Sequence, residues 1–299
     1  MSKGPDMMRR GWRRMLVCAL PVLLGVAPLP ARASEPPFAS GWVKDHSTSV
    51  RLIGGGVAIG GPATGTGQRL FAGIEMTLEN GWKTYWRNPG SSGVPPRIDW
   101  AGSENLAEAT LLFPAPQRFV DKDGDTIGYK TALVLPVLIK PKNPALPVTL
   151  KLALEYGVCR EVCIPVSPSL SLILPPEAVA KPAGKSLADA VATVPRPANE
   201  RRPTDPVARS FKIDLAATKP VIRIEAEFPG GIKGADVFLE APDGLWIPLA
   251  KPVAGGTGAL QRFEVDLTDG ADLADLKGRT IRLTFVSEAG QSEAEFKFE

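Results

Sequence analysis

The chain has 299 residues, 44% hydrophobic and 22% charged, which excludes an intrinsically disordered protein and leaves room for two domains of ordinary size. Its formal net charge of +3 sits at the N-terminus: residues 1–33 hold six basic residues and one acidic, so the remainder stands near −2. That balance excludes nucleic-acid binding through bulk charge, and thirty Gly and thirty Pro favour short strands with frequent turns.

In chain order, residues 1–33 read as a secretory signal. Arg9, Arg10, Arg13 and Arg14 precede an apolar run from Met15 to Leu29, and Ala31-Arg32-Ala33 supplies the small residues of a cleavage site. The run is short for a bilayer span and is interrupted by Pro21 and Pro28. We expect cleavage near Ala33 and a mature chain that does not span the membrane. Cys18 leaves with the signal, so only Cys159 and Cys163 remain, in a compartment where thiols can be oxidised.

Gln68–Leu78 alternates, with Leu70, Ala72, Ile74, Met76 and Leu78 on one face, which is the period of a half-buried strand. "ALVLPVLIK", "VTLKLALEYG" and "SLSLILP" read as further strands. Residues 176–206 turn rich in Pro and Ala without alternation and read as a linker, with one short helix over Ser186–Ala192. Seven short strand patterns follow between Gly, Pro and Asp turns. The predicted fold is all-β: two tandem immunoglobulin-like β-sandwich domains over residues 34–175 and 207–299.

Several motifs have plain structural explanations. Gly54–Gly67 lacks the Gly-Lys-Ser/Thr ending of a phosphate loop and reads as a hairpin or surface loop. Asp121, Asp123 and Asp125 lack the Gly and Glu positions of a calcium loop. His46, the only histidine, has no nucleophile elbow near it. Trp82, Tyr85, Trp86 and Trp100 are read first as core aromatics and second as a recognition surface.

"YGVCREVCIP" is harder to dismiss. On an extended strand Cys159 and Cys163 would lie about 13 Å apart, out of disulfide reach, so pairing requires a turn, a bulge or one helical turn. The small ring restricts the unfolded chain little, by about 2 kcal/mol, which weakens the case for a structural staple. A metal site is short of ligands, since the mature chain adds only His46 and Met76. The residues alone leave redox couple, structural disulfide and metal open, the redox couple foremost. We expect no cofactor.

"GWKTYWRNPGSSGVPPRIDW", "FPAPQRF", "GYKTALVLPVLI" and "YGVCREVCIPVSPSLSL" together resemble the periplasmic N-terminal domain of the DsbD family, and more closely its ScsB-type branch, over roughly residues 40–175. The resemblance implies a periplasmic thiol-disulfide interchange protein. It would take electrons from a membrane-embedded DsbD/ScsB-type reductase and pass them to a periplasmic thioredoxin-fold disulfide isomerase or reductase. The catalytic pair would be Cys159 and Cys163, although the DsbD branch spaces its cysteines further apart. In that branch the second cysteine forms the mixed disulfide, which nominates Cys163. A helix-like "CREVC" would favour Cys159 instead, through its position nearer the positive end. The family also shields its cysteines with a loop, matching Asp121–Tyr129 here. Asp125, Ile127 and Tyr129, with Tyr156 beside the pair, are the expected shielding residues. The chain ends at Glu299 without the transmembrane reductase usual in the family, so we expect either that a separate membrane protein supplies the electrons or that the domain has taken another role. The rival reading is a non-enzymatic binding or assembly module with a structural disulfide, for envelope proteins or copper handling.

Overall fold

Alternating apolar and polar side chains drive most of the chain into strands. The computed structural model describes residues 1, 35–61, 65–120, 124–215, 219–268 and 273–299; the signal and its cleavage site lie outside them. The first half contains β1 (Phe38–Ala39), β2 (Val43–Asp45), β3 (Thr48–Gly61), β4 (Gly65–Leu78), β5 (Lys83–Gly90), β6 (Arg97–Asp99) and β7 (Leu106–Leu111). It continues through β8 (Gln117–Phe119), β9 (Thr126–Lys130), β10 (Ala132–Pro141), β11 (Val148–Cys159), β12 (Cys163–Val166) and β13 (Ser169–Leu174). One sheet runs in the order β1-β3-β4-β10-β7, with β2 on β3. The other runs β12-β11-β5-β9-β8, with β13 and β6 on β11.

β11 shows why these sheets face each other. Val148, Leu150, Leu152, Leu154, Tyr156 and Val158 are buried on its inner face, while Lys151, Ala153 and Glu155 are exposed. The inner residues join Leu52, Ile74, Met76, Trp86 and Leu135 in one core. Each fully buried Leu or Val contributes about 1.5–3 kcal/mol, so the register cannot slip without turning that face to water. Of the Gly54–Gly67 stretch, the described residues 54–61 and 65–67 lie in the paired strands β3 and β4, and His46 occupies the turn between β2 and β3 beside Asp45.

The second half holds two four-stranded sheets. After α1 (Lys185–Ala192) come β14 (Arg196–Pro197), β15 (Val207–Asp214), β16 (Val221–Glu227), β17 (Asp236–Glu240), β18 (Lys251–Thr257) and β19 (Leu260–Asp266). A one-turn α2 (Leu273–Leu276), β20 (Thr280–Ser287) and β21 (Gly290–Lys297) complete it. The sheet orders are β14-β21-β20-β17 and β15-β16-β19-β18, around a separate core that includes Ile222, Phe263, Leu283 and Phe285. The protein is therefore mostly β, in several sheets with few helices.

Ser34 to Glu299 forms one compact unit, and the contacts across its middle are specific. Trp86 packs on Phe238 with ring centroids 5.7 Å apart. Arg87 makes a forked pair with Glu240 at 2.8 and 2.7 Å and also reaches Glu293 at 2.6 Å. Arg118 forks onto Asp236 and donates to the carbonyl of Ala250. The Pro/Ala-rich segment packs as well: Leu187 of α1 is buried against Ile53, Phe71 and Val134, and Gln291 donates to the carbonyl of Ala192. Among the described residues no helix is long and apolar enough to cross a membrane.

Candidate functional site

β11 ends at Cys159, β12 begins at Cys163, and Arg160–Val162 turn the chain back. The two cysteines are direct cross-strand partners, 4.1 Å apart at Cα, and are joined as a disulfide. A hairpin thus supplies the fold-back that the spacing demanded. "CREVC" is not helical, so the helix-end argument for Cys159 falls: a turn between strands has no aligned peptide dipoles to stabilise a thiolate.

The disulfide lies on the outer face of its sheet. Along β11 the outer positions Lys151, Ala153 and Glu155 are exposed, but Gly157 and Cys159 are buried. Tyr85 accounts for the change. It sits across from Gly128 on β9, and on its other side Gly157 has no side chain to block the ring. A Cβ on Gly157 would stand 3.6 Å from the ring and 3.2 Å from Val94. Lying in this trough between two glycines, Tyr85 brings its Oη to 3.3 Å from the Sγ of Cys163. The result is asymmetric: Cys159 is 2% exposed, whereas Cys163 and the neighbouring Val162 are exposed.

A loop from Pro89 to Pro96 closes over Tyr85. Gly93, at φ +131°, lies flat against the ring, where a Cβ would meet ring carbons at 2.5 Å. The N–H of Ser91 donates to the carbonyl of Asp125 at 3.1 Å, and Gly90 lies against Leu249 of the second half. Replacing Gly93 by Ala is expected to lift the ring and loop from the pair. The reduced protein should then be alkylated at Cys163 by iodoacetamide several-fold faster, and an unchanged rate would remove this loop from the shield.

The expected shielding residues are distributed differently. Asp125 ties the loop through its carbonyl, while its carboxylate accepts from Arg118 at 3.3 Å. Ile127, Tyr129 and Tyr156 point to the inner face and belong to the core. Tyr129 Oη donates to the carbonyl of Pro114 at 2.8 Å, and Tyr156 Oη pairs with the Thr48 hydroxyl at 3.0 Å. Burial pushes the Tyr129 phenol well above its ordinary range. It also raises that of Tyr156, against the opposing effect of its hydrogen bond with Thr48. The Asp121–Asp123 part of the stretch lies outside the described residues. Tyr85 was legible only as one aromatic of a cluster, and its neighbours Gly128 and Gly157 were the signal for its role. Of that cluster, Trp86 is fully buried and Trp82 and Trp100 pack at the core margin. Among the described residues, no group of three or more His, Cys, Asp or Glu side chains could hold a metal ion.

Charge near the pair comes mostly from one side. Lys83 is the direct cross-strand partner of Cys159, and Lys130 in turn is the partner of Lys83. The Lys83 ammonium donates to the Thr126 hydroxyl at 2.9 Å, and both lysines lie over the ring of Phe119.

A short hairpin disulfide, backed by a full core and open at one sulfur, is geometry suited to thiol exchange.

Residues 59–175 match the family described as "Thiol:disulfide interchange protein DsbD, N-terminal".

The matched segment holds both cysteines, Tyr85 and the loop above it, and bears out the resemblance drawn from the motifs. Among solved structures, the N-terminal periplasmic domain of ScsB from Proteus mirabilis is similar at 22% identity with a TM-score of 0.63, covering 86% of this chain and 97% of that one. At this identity the likeness establishes the fold, and it extends across both halves. No curated protein matches the chain.

Proposed function

We propose that the protein is a periplasmic dithiol carrier of the thiol-disulfide interchange type, built from two tandem immunoglobulin-like sandwiches. It takes electrons from a membrane-embedded reductase and delivers them to a thioredoxin-fold partner. The observation that carries this reading is the asymmetry of the pair, with an exposed Cys163 bonded to a buried Cys159 across a three-residue turn. A structural staple has no use for one sulfur at the surface, and it more often joins distant strands.

Exposure assigns the roles. In the reduced protein the Cys163 thiolate attacks a sulfur of the partner's disulfide; that bond breaks, and the released partner thiolate takes up a proton. The Cys159 thiolate then attacks the Cys163 sulfur, the mixed disulfide breaks, and the second partner thiolate leaves and is protonated. Two electrons and two protons pass from Cys159 and Cys163 to the partner. Tyr85, against Cys163, and the Pro89–Pro96 loop packed on its ring narrow the approach to the pair between encounters, which limits wasteful oxidation.

Equilibration against graded glutathione buffers tests the reading. The expected potential lies in the exchangeable range, and a value well below about −300 mV would mark a structural bond instead.

A further inference from the structure

We propose a second class of substrate for the same thiol: an extended, cysteine-bearing polypeptide segment that adds to β12 as an antiparallel strand and exchanges its disulfide with Cys163. This rests on the dithiol-carrier reading above. β12 is the end strand of its sheet, and among the described residues it pairs with β11 alone. The phase of that pairing is fixed on both sides of the cysteines. The N–H of Leu154 donates to the carbonyl of Pro168 at 3.1 Å, and that of Arg160 donates to the carbonyl of Val162 at 3.2 Å. Bonded and non-bonded pairs alternate along an antiparallel ladder. Tyr156–Val166 and Val158–Ile164 are therefore bonded pairs, while Gly157–Pro165 and Cys159–Cys163 are not. The 4.1 Å Cα separation of the cysteines agrees, because non-bonded pairs are the closer kind. The N–H and carbonyl of Cys163 and the carbonyl of Pro165 thus point away from β11, along a free edge.

This edge meets the needs of exchange. In an added antiparallel strand, the residue bonded opposite Cys163 lies on the same face with its Cα about 5.5 Å away. Disulfides most often span Cα atoms about 5.5–6 Å apart, so a cysteine there stands at mixed-disulfide distance. Direction agrees as well. An entering sulfur approaches opposite the leaving one, and the Cys159–Cys163 bond runs from β11 to β12, so entry at Cys163 crosses this edge. Val162, next to Cys163 and 66% exposed, offers apolar surface to the flanking residues of an unfolded chain. Pro165 lacks the N–H that a longer added strand would need. It confines pairing to the Cys163 end and discourages edge-to-edge stacking of copies.

The test uses the full reduced chain and the peptide acetyl-Ala-Val-Ala-Cys-Ala-amide, joined through its cysteine to thionitrobenzoate. Attack by the Cys163 thiolate forms the Cys163–peptide disulfide and releases the coloured thionitrobenzoate anion. Attack by the Cys159 thiolate then closes the Cys159–Cys163 bond, and the peptide thiolate leaves and takes up a proton. Two electrons pass from the protein dithiol to the probe disulfide. Methylating the cysteine nitrogen of the probe removes the N–H that faces the Cys163 carbonyl. Methylating the nitrogen of the preceding alanine alters an N–H that faces away. With rates taken relative to glutathione on each probe, the first methylation is expected to slow thionitrobenzoate release by about three- to tenfold, and the second to change it by less than about twofold. In the mixed disulfide of the Cys159→Ser chain with the unmethylated peptide, amide hydrogen exchange at Cys163 should slow. Equal rates for the three probes, equal slowing by both methylations, or unchanged exchange at Cys163 would each overturn the inference and leave the carrier reading standing. If no probe reacts at Cys163, the carrier reading itself fails, and the inference with it.

Discussion

A chain carrying Cys159→Ser is expected to accumulate as a mixed disulfide with its partner, whereas Cys163→Ser is expected to form none. The difference follows from placement on the hairpin. Cys163 opens β12 at the surface, while Cys159 closes β11 and is buried. Without Cys159 the first exchange still proceeds and nothing resolves it. Without Cys163 the remaining thiol is covered, and a partner disulfide cannot align with it. Transfer of electrons to a disulfide substrate should fall to the uncatalysed background in both variants, because each removes one of the two bonds the reaction must make. Non-reducing electrophoresis of periplasmic extracts, followed by identification of the trapped species, reads the result. Trapping by Cys163→Ser but not by Cys159→Ser would reverse the assigned roles. Trapping by neither would leave the pair a structural bond.

Arg87→Ala is expected to destabilise the protein by about 3 kcal/mol and to affect both halves together. The guanidinium is forked onto Glu240, reaches Glu293 and stacks on Trp86 at 4.5 Å, with all three charged side chains less than a quarter exposed. Burial disfavours its charge, but its hydrogen bonds to Glu240 and the charges of Glu240 and Glu293 more than offset this and hold the group protonated even more firmly than usual. Truncation leaves two carboxylates facing each other in a partly dry interface and opens space beside Trp86 and Phe238. Arg223 also pairs with two carboxylates, Asp214 and Glu264, but at half-exposed positions, and its loss should cost much less. Urea unfolding of the two variants makes the comparison. Similar midpoints for both would show that the junction contributes no more than a surface ion pair.

Local pattern explains which parts of this architecture are readable from residues alone. The inner face of β11 is written as Val148, Leu150, Leu152, Leu154, Tyr156 and Val158, and period-two alternation of that kind has one way to lie on a core. The fold-back between the cysteines was equally accessible, because four residues of extended chain cannot close a disulfide. The choice among turn, bulge and helix was not, since "CREVC" carries no strong local preference and the strand pairing on either side decides it. The shield was harder still. Ile127 and Tyr129 lie in the stretch that the family resemblance singled out, yet the pleat turns both inward, so they pack in the core. Tyr85 looked like one more core aromatic because the residues it sits between on the sheet, Gly157 and Gly128, lie 72 and 43 residues further along the chain.

By itself, then, the sequence determined the β character, the strand faces and the need for a turn at Cys159–Cys163. All of these rest on residue type and on spacing along one segment. Only the tertiary structure decided which sulfur meets solvent, that Tyr85 lies over the pair, that Lys83 stands opposite Cys159, and that Arg87 and Arg118 bind the two halves together. Each of these depends on register between strands distant in sequence, and register is set by the summed burial of whole sheet faces, which no short motif encodes.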